Sequence, residues 1–401
     1  MHLNYLAFAI PLFVGFMLLE YFLSVKRNMG TFNFKEVVAN LNVGIAERLC
    51  DLFTTGLFFF FFSWIHRNFA IADIKPELLT WVLLFVLTDL VWYWYHRVGH
   101  KVNLFWSFHV VHHQSDDFNF TVAARITVFQ AAARCLFWSI LPLVGFPPEM
   151  ITLLLLVHGT YPFFTHTQLV GRLGVLEYLF VTPSHHRVHH SSNPCYLDKN
   201  FGDVLIIWDK IFGTFAKENE VPVYGITKPL NSHSFLWQHF HFFLEMMTAF
   251  KRSKGLRKKL KCLLGKPDEI DPRIREHLER KLSIGVKENQ LSETLGGYIM
   301  VKTFISLTVL FCIILLEHYL SNTQIFILAV YLILSVITTG AMLEQRRWIF
   351  HLEFFRGIAL GAYLLVTFPY FNLGVLLTLI LILFTSFYKS IERRYYNYLH
   401  I

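Results

Sequence analysis

The stretch HRVGHKVNLFWSFHVVHH, His96 to His113, decides how this chain is read. His96 and His100 stand four apart, and His109, His112 and His113 fall at offsets of zero, three and four. A second trio, His186, His189 and His190 within SHHRVHH, repeats those offsets. Side chains three and four apart share a helix face, so each trio can present three imidazoles on one side of a helix end. A single intramembrane histidine reads as a hydrogen-bonded core residue, but paired trios from separate segments read as metal ligands.

Outward from this stretch, the 401-residue chain is 54% hydrophobic and only 16% charged, the composition of an integral membrane protein rather than a soluble one. The net charge of +8 does not indicate nucleic acid, because the basic residues lie in loops beside apolar spans and not along one exposed face. Cys50, Cys135, Cys195, Cys262 and Cys312 form no metal spacing, and their odd number argues for free thiols.

The expected fold is an all-α, multi-span helical bundle. A first span opens the chain. Lys26, Arg27 and Lys35 follow it, which places the N-terminus outside and that loop in the cytoplasm. Residues 31–50 read as a polar connection, LFTTGLFFFFFSWI as a short second run, and ELLTWVLLFVLTDLVWYWYHR as a span ending at His96. A helical hairpin follows, its arms 126–146 and 150–170 joined by a turn at Pro147 and Pro148. Residues 171–250 read as a turn-rich cytoplasmic cap. Four more apolar runs, near 298–320, 322–342, 348–368 and 369–388, place Arg346, Arg347, Lys389, Arg393 and Arg394 on the cytoplasmic side, with Arg67 and Lys75 as exceptions to the charge rule. The division is N-terminal spans (1–76), a catalytic domain (77–250), a basic linker (251–297) and C-terminal spans (298–401). The linker run KRSKGLRKKLKCLLGK carries eight basic and no acidic residues, and reads as a solvated face held against anionic lipid. His318 and His351 are isolated, so the C-terminal half reads as anchor or lipid-tunnel wall.

His96, His100 and the two trios are joined by His166 and His158 from the returning arm, about eight to ten histidines in all. A transition ion rarely takes more than six ligands, so two metals are expected. An all-histidine set suits a redox di-iron centre better than structural zinc, which favours four ligands and often Cys. His158 and His166 lie about 12 Å apart along a helix, so only His166 shares the level of the other clusters unless Pro162 breaks the helix. His185 reads as an outer or surface residue, and Asp116 and Asp117 as helix caps. Asp89, seven residues before His96, either orients that ring or is satisfied by Trp or Tyr donors.

These boxes, HRxxH, HxxHH and a second HxxHH, resemble the fatty acid hydroxylase superfamily of membrane di-iron enzymes. YWYHRVGHKVN, FHVVHHQSDDFN, TPSHHRVHHSSNPCYLDKNFGDVLIIWDKIFGTFAKENE and VYGITKPLN resemble its tetrahydrobiopterin-dependent, glyceryl-ether-cleaving branch from about Phe85 to Leu230. The resemblance implies that the eight box histidines hold two irons that activate O2. It also implies hydroxylation of the carbon beside an ether oxygen, releasing a fatty aldehyde and a glycerol derivative. Arg125 and Asn200 would serve as outer-shell or head-group residues, unless they are exposed caps. Lys101 and Ile126 depart from the branch, which carries Glu and Gln there. If those positions serve pterin or substrate, a protein electron donor or another lipid follows.

The implied partners are a lipid substrate and the bilayer: the endoplasmic reticulum in a eukaryote, the inner membrane in a bacterium. Two other readings stand beside this one. A sterol or fatty acyl hydroxylase or desaturase would share every ligand. A histidine-rich metal transporter would need carboxylates along a path through the membrane, where Asp89 is the one strong acid read from the sequence.

Overall fold

In a computed structural model of the chain, residues 3–285, 290–367 and 371–399 are described. The described residues are helical with no strand ladder, only two isolated bridges, Phe180 with Leu205 and Ser191 with Tyr224. Among the described residues six helices are long and apolar enough to cross a bilayer, as the composition requires. The protein is therefore an all-α integral membrane bundle.

Contacts divide it into two compact units, one of residues 11–230 and 237–284, the other of 1–10, 231–236 and 285–401. The first holds most of α1 (Ala9–Lys26), then α2 (Phe34–Phe69) and α3 (Leu78–Lys101). The expected polar connection at 31–50 is instead the first half of α2. Asn33 caps this helix through its side-chain oxygen, which accepts from the Lys35 and Glu36 amides at 2.9 and 3.4 Å. At 36 residues α2 is about 54 Å long, far beyond the ~30 Å hydrocarbon thickness. Its polar first half is buried in protein at Asn40, Asn42 and Glu47, while Phe53, Leu57, Phe60 and Trp64 in its second half are exposed.

The outgoing arm of the expected hairpin is broken into α4 (Gln130–Trp138) and α5 (Ile140–Val144), too short to span. Its return is α6 (Pro148–Thr165). The turn between them needs glycine: Gly145 has φ +123°, and a Cβ there would lie 2.0 Å from the Ala72 carbonyl oxygen. Trp138, Leu84, Phe146 and Ile151 form the apolar core beneath. The cap holds α7 (Pro183–His189), and its end is not turn-rich but the helix α8 (Phe235–Arg252). The linker contains α9 (Leu256–Leu264) and α10 (Arg273–Lys281), and its residues 286–289 lie outside the described set.

The second unit contains α11 (Glu293–Leu315), α12 (Asn322–Leu343), α13 (Ile349–Thr367), α14 (Phe371–Ser386) and α15 (Tyr388–Tyr398). α14 and α15 meet at a 64° bend. The run expected at 369–388 begins partly outside the described residues.

Acids inside the spans are more numerous than the sequence reading allowed. Glu20 of α1 accepts from the Phe120 amide at 2.6 Å and from Thr167, and Glu353 of α13 is bonded by Lys302 and Arg356. Asp117 does not cap a following helix: its carboxylate accepts from the Asn33 amide at 2.5 Å, and Asn119 caps the short helix Phe120–Ala123.

Candidate metal centre

The histidines gather where α3 and α6 end. His96 and His100 lie in the last two turns of α3, and His166 is the C-cap of α6. His109 to His113 occupy a 3-10 turn, and His186 and His189 lie on α7 with His190 at its cap. Among the described residues the ligand atoms of nine histidines fall into two groups, each within 4.8 Å: His96, His100, His109, His113 and His189, and His112, His166, His186 and His190; Asp89, His158 and Asp203 form a third group of the same tightness. Neither trio stays together, contrary to the one-face expectation. The first gives His109 and His113 to one group and His112 to the other, and the second gives up His189. The two histidine groups are adjacent, with the His113 and His190 rings stacked at 4.4 Å.

Backbone carbonyls fix the tautomers. Nδ1 of His96 donates to Phe201 at 2.9 Å, that of His189 to Lys199 at 2.9 Å, that of His112 to Arg125 at 3.2 Å and that of His166 to Pro162 at 2.6 Å. A carbonyl only accepts, so each of these rings carries its proton on Nδ1 and turns a lone pair on Nε2 inward. The Nε2 atoms of His112 and His166 face each other at 3.3 Å. Two lone pairs at that distance repel unless a cation lies between them. Further Nε2 pairs stand at 3.0 Å (His96 and His109; His166 and His186) and 3.1 Å (His100 and His113; His109 and His113). Metal–nitrogen bonds of ~2.0–2.1 Å set ligand edges of about 3.0–3.4 Å, so the set fits metal. His189 Nε2 and His190 Nε2 are buried with no hydrogen-bond partner.

Burial, reinforced by neighbouring rings, holds His109, His112, His113, His186, His189 and His190 well below the usual imidazole range. Burial, only partly offset by the hydrogen bond to the Pro162 carbonyl, brings His166 down to about 4. All seven are neutral donors at pH 7.

His158 joins neither group. Its Nδ1 lies 2.7 Å from Asp203 and 3.7 Å from Asp89, all three side chains fully enclosed. Asp89 does not orient His96. It accepts from the Val204 and Leu205 amides at 2.9 and 3.2 Å and from the Trp208 indole at 2.9 Å, so Trp is its donor. His185 is buried, not a surface residue. Nor are Arg125 and Asn200 exposed caps. Arg125 is buried and donates to the Val111 carbonyl, Asn40 and Gln114 at 2.7, 3.0 and 2.8 Å, bracing the turn that carries the first trio. Asn200, at φ +54°, donates to the His185 and Ala216 carbonyls.

Sequence reasoning missed three carboxylates. Asp209 accepts from the Phe201 and Gly202 amides, both at 2.8 Å, and so holds the carbonyl that aims His96. Asp203 faces His158. Asp198 pairs with Lys101 and lies 3.7 Å from His100. Burial pushes the Asp198 carboxyl up, but the neighbouring His100 ring and the Lys101 ammonium outweigh it and bring it to about 2. The only sequence signal was their place in CYLDKNFGDVLIIWD.

The family model for fatty acid hydroxylase matches residues 81–214. Alkylglycerol monooxygenase of Danio rerio is 31% identical over 360 residues, covering 88% of this chain and 80% of its own length. The Homo sapiens protein of the same name is 31% identical over 356 residues, 86% and 78%. Ornithine lipid hydroxylase OlsE of Rhizobium tropici is 30% identical over 151 residues, 37% and 45%. No solved structure matches.

Proposed function

The chain belongs to the fatty acid hydroxylase family, in the group of the alkylglycerol monooxygenases, and is a membrane lipid monooxygenase; from that premise we propose that its nine clustered histidines hold two irons and that its substrate is a glyceryl ether. The observation that carries the metal reading is the pair of inward lone pairs on His112 and His166, 3.3 Å apart. Bound iron supplies the oxidising power drawn from O2. The remaining work belongs to the chain. The carbonyls of Phe201, Lys199, Arg125 and Pro162 keep four rings in one tautomer, and burial keeps water from the site.

In this reaction one oxygen atom of O2 would enter the C–H bond beside the ether oxygen, and the other would leave as water, with the two electrons and two protons supplied by a reduced pterin, tetrahydrobiopterin. The resulting hemiacetal collapses to a fatty aldehyde and a glycerol derivative. The basic residues Lys26, Arg27 and Lys35, at and between the facing ends of α1 and α2, support a cytoplasmic face for the site. A second reading, hydroxylation of an acyl chain with a protein electron donor, draws on the similarity to the ornithine lipid hydroxylase and on Lys101.

The purified chain should carry about two irons, and the double variant His112→Ala, His189→Ala should lose most of them; full iron in that variant overturns the metal reading. With O2 and a reduced pterin, alkylglycerols should yield fatty aldehyde. A product confined to hydroxylated acyl chains or sterols, across a panel of ether lipids, acyl lipids and sterols, overturns the ether reading and leaves the metal reading intact.

A further inference from the structure

α9 stands apart from the chemistry, yet it is built for a lipid surface. Leu256, Leu260 and Leu264 recur every fourth residue and so share one face, and they are 73, 45 and 60% exposed. Arg257, Lys258 and Lys261 are exposed on the adjoining arc. Lys261 pairs with Glu269 at 3.0 Å, and Lys259 turns back over the Phe250 ring. A leucine stripe beside a cationic face on so short a helix has no use for water on both sides. It suits the boundary between head groups and acyl chains.

A second, independent feature sets the height of this helix. Asn103, fully buried and two residues beyond the last residue of α3, donates its amide to the Gly265 carbonyl at 2.9 Å and its side chain to the Cys262 carbonyl at 3.1 Å. α3 is a membrane span, so the C-terminal end of α9 is fastened where that span leaves the hydrocarbon. It is fastened three residues from His100.

We propose that α9 docks on the anionic leaflet of the protein's own bilayer, with Leu256, Leu260 and Leu264 inserted among the acyl chains and Arg257 and Lys258 on lipid phosphates. The Asn103 clamp then ties lipid contact to the turn between His100 and His109. Charge selects the occupant. The run 251–266 carries eight basic and no acidic residues, which favours a phosphate surface over a protein groove, where a leucine stripe alone would suffice.

Amide exchange of residues 256–264 in the full chain tests this, in nanodiscs of phosphatidylcholine with and without phosphatidylglycerol. Exchange should slow about tenfold when the anionic lipid is present, since each basic residue near such a surface adds roughly fivefold in binding. High salt should restore the faster rate. Equal exchange in both lipid mixtures overturns the proposal, as does protection that arises only when other proteins are added. The variant Leu256→Gln, Leu260→Gln, Leu264→Gln should lose the protection while keeping its iron. Persistence of protection in that variant likewise counts against insertion.

Discussion

A carboxylate sealed inside a membrane helix survives when its lone pairs are met, and Asp89 meets three donors from one short stretch of chain, at Val204, Leu205 and Trp208. The loop just before it supplies the Phe201 and Lys199 carbonyls that aim His96 and His189, rings of the first and third histidine boxes. Asp89→Asn keeps the volume but puts an NH2 group against a donor. It should cost about 1–3 kcal/mol in thermal unfolding and weaken iron binding by about tenfold or more. Unchanged iron affinity with lowered stability would show that the loop braces the fold without aiming the rings. Asp89 itself was half legible, because a buried acid must find partners and Trp or Tyr donors were one of two answers. The carbonyl acceptors were not legible at all: a backbone oxygen has no residue type to mark it. The 12 Å spacing did separate His158 from His166, and the structure places them in different clusters.

At the level of elements, spacing identified the trios but not their division. At about 100° per residue, positions three and four along lie on opposite sides of the first, and in both trios the pair four apart stays together, His109 with His113 and His186 with His190, while the member three along turns to the other group. The start of α2 was lost for another reason. Lys35, Glu36, Asn40 and Asn42 look like a connection when burial is read from polarity, but Asn40 is paid for by Ser115, Thr121 and Arg125 deep in the protein. α7 is held by a similar device. Arg187 donates to Glu218 through two nitrogens at 2.7 Å each, and to the Thr167 and Val170 carbonyls. Burial pushes Glu218 up, but its bonds to Arg187 and Ser184 more than offset this and hold it below the usual range. A depressed carboxyl stabilises the fold above its unfolded pKa and loses that contribution as pH falls. The stability that Glu218→Gln removes, about 1.5–3 kcal/mol, should therefore be present above about pH 5 and fade below about pH 4. Melting temperatures of the two proteins that stay equally far apart down to pH 3 would refute this assignment.

Across the whole molecule, all nine clustered histidines belong to the unit of residues 11–230 and 237–284. The other unit has a polar centre of its own, which hydropathy could not reveal because four or five polar residues barely lower the mean of long apolar helices. Lys302 and Tyr298 donate to Glu353 at 2.8 and 3.0 Å, Arg356 bonds both of its oxygens, and the Arg356 guanidinium lies 4.4 Å from the Tyr331 ring centre. Two cations thus share one carboxylate among α11, α12 and α13, each charged side chain 10% exposed or less. Removing that carboxylate strands both cations away from water. Glu353→Gln should therefore destabilise this unit by about 3–5 kcal/mol, read as a lower unfolding temperature of the full chain in detergent. Iron content, measured at a temperature where the variant is still folded, should match the parent, because all nine histidines proposed to hold iron lie in the other unit. If iron falls in step with the loss of stability, the C-terminal helices help to build the metal centre and are more than its anchor.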